Sequence, residues 1–119
     1  MEGPWKIRLT QAGMDVEAAV ERLMGSEALL ERFLKKFLED SNYARLIAAV
    51  AAGDWESAVM AAHTLKGMCG NLSFTVLCDQ FTRQVEYLRA GDTLAAKAMM
   101  PEISQAYERI QTAIQESVS

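Results

Sequence analysis

Apolar residues recur along this chain at intervals of three and four, which is the spacing of one face of an α-helix. No segment shows sustained alternation of apolar and polar residues, and no Asn-Gly or Asp-Gly hairpin turn is present. The pattern predicts an all-α fold. The apolar stripes run over residues 16–23, 30–38, 43–50, 58–72, 74–88 and 94–113.

Polar residues and glycines mark the ends of these stripes. Side chains that accept hydrogen bonds precede four of them, as N-cap residues do, namely Asp15, Ser26, Asp54 and Asp92. Glycine or Gly-Asn follows most of them, at Gly25, Gly53, Gly70-Asn71 and Gly91. Because the turns are short, we expect an up-and-down antiparallel four-helix bundle with short additional N-terminal helices. Residues 1–12 are assigned to an N-terminal extension and residues 13–119 to one bundle domain.

The last stripe contains Pro101, which lacks an N–H and clashes with the preceding turn. A kink or a break is therefore expected there. The apolar spacing begins at Leu94 and continues past the proline, which favours a kink in one long helix.

Composition narrows the class of protein. The chain has 119 residues, 50% of them apolar and 24% charged, and a net charge of -4, which suits one globular domain and argues against nucleic acid as a partner. No apolar run approaches the roughly 20 residues of a membrane span, and no signal peptide is recognisable. We therefore expect a cytoplasmic protein without membrane insertion, in which Cys69 and Cys78 are reduced core thiols rather than a disulfide.

His63 is the only histidine, and its position on its helix is informative. With Leu65 at the centre of the buried face and a step of about 100° per residue, His63 lies about 160° away. The helical phase thus excludes a core histidine and leaves either a surface residue or a functional one. A neutral imidazole is a competent nucleophile near neutral pH.

Two glycines and a lysine that follow His63 in the sequence favour a functional role for this histidine. An interior helical glycine costs about 1 kcal/mol relative to alanine, and Gly67, one turn after His63, has no evident structural reason. We expect it to provide clearance for a partner. Gly70 either ends the helix or extends the same clearance. Lys66 either is an ordinary solvated lysine or places its ammonium against phosphoryl oxygens.

The surface around His63 is the predicted docking face, formed by Glu56, Val59, Met60, Thr64 and Gly70. Exposed Val59 and Met60 are costly unless a partner covers them. Packing against another part of the same chain is the alternative for either residue.

The segment Ala62-His63-Thr64-Leu65-Lys66-Gly67-Met68-Cys69-Gly70-Asn71-Leu72 closely resembles the His-x-Leu-Lys-Gly motif of histidine-containing phosphotransfer domains. Flanking landmarks extend the resemblance over residues 13–91, including Arg22-Leu23-Met24-Gly25, Gly53-Asp54-Trp55 and Leu88-Arg89-Ala90-Gly91. The chain departs from the family at Met68 and Cys69, where small residues are frequent, and at Ser73, where glycine or alanine is common.

The resemblance implies a four-helix bundle that carries a phosphoryl group on His63, with Lys66 facing the phosphate and Gly67 giving clearance. It implies as partners a response-regulator receiver domain and a sensor histidine kinase, which can be a hybrid kinase. The domain would have no kinase activity, nucleotide or cofactor of its own, since the magnesium ion belongs to the receiver.

Three other functions are possible for an exposed histidine in a small helical protein. A metal or haem site is disfavoured because one His and two Cys on buried stripes do not converge. A nucleophilic enzyme would need a base and an orienting acid, which the sequence does not show. The strongest alternative is a helical interaction module that docks a partner without phosphotransfer.

Overall fold

The computed structural model describes residues 1–118, and within them it contains helices and no strand. The all-α prediction is therefore confirmed. The helices are α1 (Trp5–Gln11), α2 (Val16–Arg22), α3 (Glu27–Glu39), α4 (Asn42–Ala52), α5 (Trp55–Asn71), α6 (Thr75–Arg89), α7 (Thr93–Ala98) and α8 (Met100–Ser117).

The predicted N-caps form as expected. The side chains of four residues accept hydrogen bonds from the backbone N–H three positions later, at 3.1–3.2 Å, and these residues are Asp15, Ser26, Asp54 and Asp92. Gly53 ends α4 in the left-handed conformation with φ of 69°. An L-residue at that φ would be strained, so the glycine fixes the tight turn into α5.

The His63 helix, α5, packs along α4 on one side and α6 on the other, while α8 packs against α1, α3 and α6. Aromatic rings fill the centre of the core. The ring of Phe37 meets Phe74 edge-on at 5.1 Å between centroids, and Tyr107 stacks on Tyr43 at 3.8 Å. The antiparallel four-helix order remains a prediction from the short turns.

Residues 1–12 are more than an appended segment. They contain α1, whose Trp5 and Leu9 are buried in the same core as the later helices. The N–H of Glu2 donates to the Ser117 carbonyl oxygen at 2.8 Å, and Nη1 of Arg8 donates to the Glu116 carbonyl oxygen at 3.0 Å. The extension expected from the sequence is thus packed against the end of α8.

The region around Pro101 differs from the expected kinked helix. The chain forms two helices, α7 and α8, that meet at Met99, and Pro101 lies in the first turn of α8. A proline fits there because the first N–H groups of a helix have no intrahelical partner. Leu94, which the sequence assigned to the buried stripe, is 81% exposed.

Two further stripe residues are more exposed than expected, and two polar residues are more buried. Phe33 of α3 and Ile47 of α4 are exposed large apolar side chains. On α6, by contrast, Gln80 and Gln84 lie in the core. Nε2 of Gln84 donates to the Ala96 carbonyl oxygen at 3.1 Å, which fastens α7 to α6.

The phase of α5 can be tested by comparing two apolar residues on its opposite sides. Leu65 is fully buried and Met60 is 67% exposed. Leu65→Ala should lower the free energy of unfolding by about 2–5 kcal/mol, because it leaves a cavity. Met60→Ala should change it by less than about 0.5 kcal/mol. Urea denaturation followed by circular dichroism measures both, and equal losses would contradict the phase.

Candidate functional site

The helix that carries His63 begins at an N-cap residue, Asp54, whose side chain is hydrogen-bonded. Oδ2 of Asp54 accepts a hydrogen bond from the Ser57 hydroxyl at 2.7 Å, and Oδ1 accepts one from the Ser57 N–H at 3.2 Å. These two bonds lower the pKa of the Asp54 carboxyl. A carboxylate at a helix N-terminus is also favoured by the helix dipole. The start of α5 is therefore fixed in place by its own sequence.

His63 is exposed near the middle of α5, as its phase predicted. The buried side of the helix consists of Ala58, Ala61, Ala62, Leu65 and Cys69. Small alanines let α5 lie close to its neighbours, and that close packing fixes the rotation of the helix about its axis. The imidazole is thereby directed away from the core.

Lys66 and Gly67 follow His63 on the same part of the helix, with Lys66 half-buried and Gly67 exposed. A Cβ added at Gly67 would meet no heavy atom within 4 Å. Internal packing therefore does not require a glycine at this position. The helix is left with bare backbone and open space one turn beyond the imidazole.

Gly70 has a different setting. It lies inside α5 and is half-buried, and an added Cβ would come within 3.6 Å of the Cys78 Sγ. The residue that takes up the left-handed conformation after the helix is Ser73, with φ of 56°. Gly70 therefore does not adopt the left-handed conformation, although the helix ends one residue after it, at Asn71.

Three of the five expected docking residues are exposed and the other two are half-buried. Glu56, Met60 and Thr64 are exposed, and the Thr64 hydroxyl donates to the Met60 carbonyl oxygen at 3.0 Å. Val59 is half-buried and packs against the core, which agrees with the alternative of internal packing for that residue. Met60 and Thr64 line a groove of about 540 Å³ between α4 and α5.

A clamp at the C-terminal end of α5 was not expected from the sequence. Nη1 of Arg22, at the end of α2, lies 2.8 Å from the Gly70 carbonyl oxygen, 3.1 Å from that of Asn71 and 2.6 Å from the Ser73 hydroxyl. A cation at this end satisfies carbonyls that lack partners within the helix. No local signal could have revealed it, because the partners are 48 to 51 residues apart in the chain.

Both cysteines are free, Cys69 buried and Cys78 half-buried. Burial raises the pKa of the Cys69 thiol well above its usual range, and the neighbouring Cys78 and Asp40 add to the rise. The Cys78 Sγ lies 3.8 Å from the Lys66 carbonyl oxygen and donates a weak hydrogen bond to it. The thiols thus belong to the packing between α5 and α6.

Within residues 1–118, no group of three or more His, Cys, Asp or Glu side chains is arranged to hold a metal ion. None of the helices in that range has the length and apolar character needed to cross a bilayer.

The family model of the Hpt domain matches residues 28–113, which is most of the chain and includes all of α5. The chain belongs to the Hpt domain family. Comparisons with curated proteins and with solved structures give no significant match. Hpt domains act in two-component phosphorelays as phosphotransfer carriers and are not kinases.

The difference between the two thiols of this Hpt domain can be measured. Only a thiolate attacks a disulfide reagent, displacing the reagent's other sulfur as the leaving thiolate, so the buried Cys69 should be almost unreactive at pH 8 in the folded protein. We expect Cys78→Ser to abolish rapid labelling and Cys69→Ala to preserve it. Labelling in urea should recover the missing thiol in Cys78→Ser. Equal native rates for the two variants would show that Cys69 is not buried.

Proposed function

We propose that this Hpt domain carries a phosphoryl group on His63 and exchanges it with an aspartate of a receiver domain. A ring nitrogen of the neutral imidazole attacks the phosphorus of the aspartyl phosphate. The P–N bond forms, the P–O bond breaks, and the aspartate leaves as a carboxylate. Return of the group to a receiver reverses these steps.

One observation carries the proposal. The single histidine of the chain is exposed in the middle of a helix whose opposite side is packed into the core, and bare backbone lies beside it. An in-line displacement needs the attacking nitrogen, the phosphorus and the leaving oxygen close to one line. A partner must therefore bring its aspartate directly over the ring, and an uncrowded helix surface permits this.

The neighbouring residues have supporting roles in the proposal. The Lys66 ammonium balances negative charge on the phosphoryl oxygens during transfer. Gly67 gives the receiver room to approach, and the surface formed by Glu56, Val59, Met60, Thr64 and Gly70 contacts it. Magnesium is held by the receiver, and this chain supplies no cofactor. The upstream donor in the relay is a sensor histidine kinase, in its simple or hybrid form.

The role of His63 is tested with a radiolabelled phosphoreceiver and magnesium. We expect acid-labile, base-stable label on the wild type and none on His63→Gln, because glutamine is similar in size but cannot attack phosphorus. Phosphoramidate, a small donor that needs no docking, should give the same difference. Label that persists on His63→Gln would overturn the assignment. A wild type that binds receivers without accepting label would favour the docking-only module.

Two substitutions of Gly67 distinguish its effect on the stability of the domain from its effect on the approach of the receiver. Gly67→Ala should raise the free energy of unfolding by about 0.5–1 kcal/mol, because the site has room for a methyl group and alanine restricts the unfolded chain. Gly67→Gln should slow transfer from the receiver at least about tenfold, the equivalent of about 1.4 kcal/mol, and leave labelling by phosphoramidate intact.

Ala98→Gln is the matched control for Gly67→Gln, since Ala98 is exposed on α7, which packs against α6 and α8. It should leave both reactions unchanged. If Gly67→Gln accepts phosphate from the receiver as fast as this control, the clearance role of Gly67 is wrong.

A further inference from the structure

A second groove lies on the flank of α5, beyond Gly67 toward the C-terminal end of the helix. It has a volume of about 470 Å³ and is formed by α3, α5 and the end of α2. Its apolar part includes Leu23, Phe33, Met68 and Leu72. Phe33 is among the exposed large apolar side chains of the protein. The groove therefore offers apolar surface that the chain itself leaves uncovered.

The charge of this groove is opposite to that of the whole chain. Two cations, Arg22 and Lys36, line it, and no carboxylate is among its described lining residues, although the chain has 16 acidic and 12 basic residues. The Lys36 Nζ lies 5.8 Å from the centre of the Phe33 ring. An ammonium held near an aromatic ring stays beside the apolar surface. The groove thus suits an apolar group with a negative charge next to it.

Arg22 is the better placed of the two cations because its guanidinium is already immobilised. Only Nη1 makes the three contacts to Gly70, Asn71 and Ser73. A guanidinium carries five N–H donors on three nitrogens, and these three contacts use Nη1 alone, so they leave the donors of Nε and Nη2 to a ligand. A carboxylate bound there gains charge-assisted bonds without the entropy cost of fixing a free arginine.

The groove is within reach of a partner docked on His63. Asn71, which lines the groove, lies eight residues beyond His63, or about 12 Å along the helix axis. A typical interface buries about 800 Å² on each partner, which corresponds to a patch of about 16 Å radius. A receiver centred over His63 would therefore reach the edge of the groove at Asn71 in the same encounter.

We propose that Arg22 is a specificity-determining residue, which together with Lys36 binds a carboxylate of the receiver while an adjacent apolar side chain of the receiver fills the groove. This inference rests on the proposed function, since its occupant is the phosphotransfer partner. Charge complementarity of this kind acts mainly on encounter and partner choice. Arg22 and Lys36 should therefore affect the KM for the receiver and leave the chemical step on His63 unchanged.

The test compares Arg22→Glu and Lys36→Glu with the wild type in transfer from a receiver that phosphorylates it. Each reversal should raise the KM for the phosphoreceiver about fivefold to tenfold at low salt, with kcat unchanged, and the difference should shrink at high salt. Labelling by phosphoramidate should stay at the wild-type rate. Arg109→Glu, at an exposed position of α8, is the control and should change neither donor's kinetics.

Lys36→Glu is the decisive variant, because Lys36 makes none of the bonds that hold the end of α5. An unchanged KM in Lys36→Glu and Arg22→Glu overturns the inference and leaves the proposed function standing. A rise confined to Arg22→Glu, with a lower unfolding midpoint, shows that Arg22 only caps α5 and also overturns it. A wild type that takes label from neither donor overturns the proposed function, and this inference with it.

Discussion

The close packing of one side of α5 is the constraint on which the candidate site depends. Alanines at positions 58, 61 and 62 bring the helix close to its neighbours, and Leu65 and Cys69 fill the remaining space. A helix packed this tightly cannot rotate about its axis without opening voids. The directions of His63, Lys66 and Gly67 are therefore set by residues on the opposite side of the same helix. The site needs no hydrogen-bond network of its own to be oriented.

This arrangement explains why the site has so few parts. The imidazole is presented on a rigid helix, and the proposed chemistry draws its metal ion and its aspartate from a second protein. A site that reacts with a second protein must be open to that protein, and it does not need a pocket that encloses the reacting groups. A glycine that weakens the helix and an apolar surface left open to water are both unfavourable for the isolated domain. Both become intelligible if the complex, rather than the free chain, is the working state.

Most of the helix boundaries and the exposure of His63 could be predicted from the sequence, because they depend on residues close together in the chain. The caps at Asp15, Ser26, Asp54 and Asp92 depend on residues three positions away, and the phase of His63 depends on one turn in either direction. The features that were missed depend on distant partners. The Arg22 clamp joins α2 to the end of α5, and burial of Gln84 depends on α7 lying over α6. Pro101 was placed in a kinked helix, since apolar spacing alone does not distinguish a bend from a new helix.

Ser73 shows how such distant contacts restrict the substitutions that the chain can tolerate. Its backbone is in the left-handed region that suits glycine, at a strain of about 1–2 kcal/mol for other residues. Its hydroxyl, however, is the nearest of the three acceptors that hold Arg22. Glycine there would relax the turn but remove the nearest of the three acceptors of Arg22, whereas loss of Arg22 would leave a strained serine whose hydroxyl lacks this partner. Over evolutionary time, positions 22 and 73 should therefore covary, although they are remote in sequence, with Arg22 at the end of α2 and Ser73 in the turn between α5 and α6.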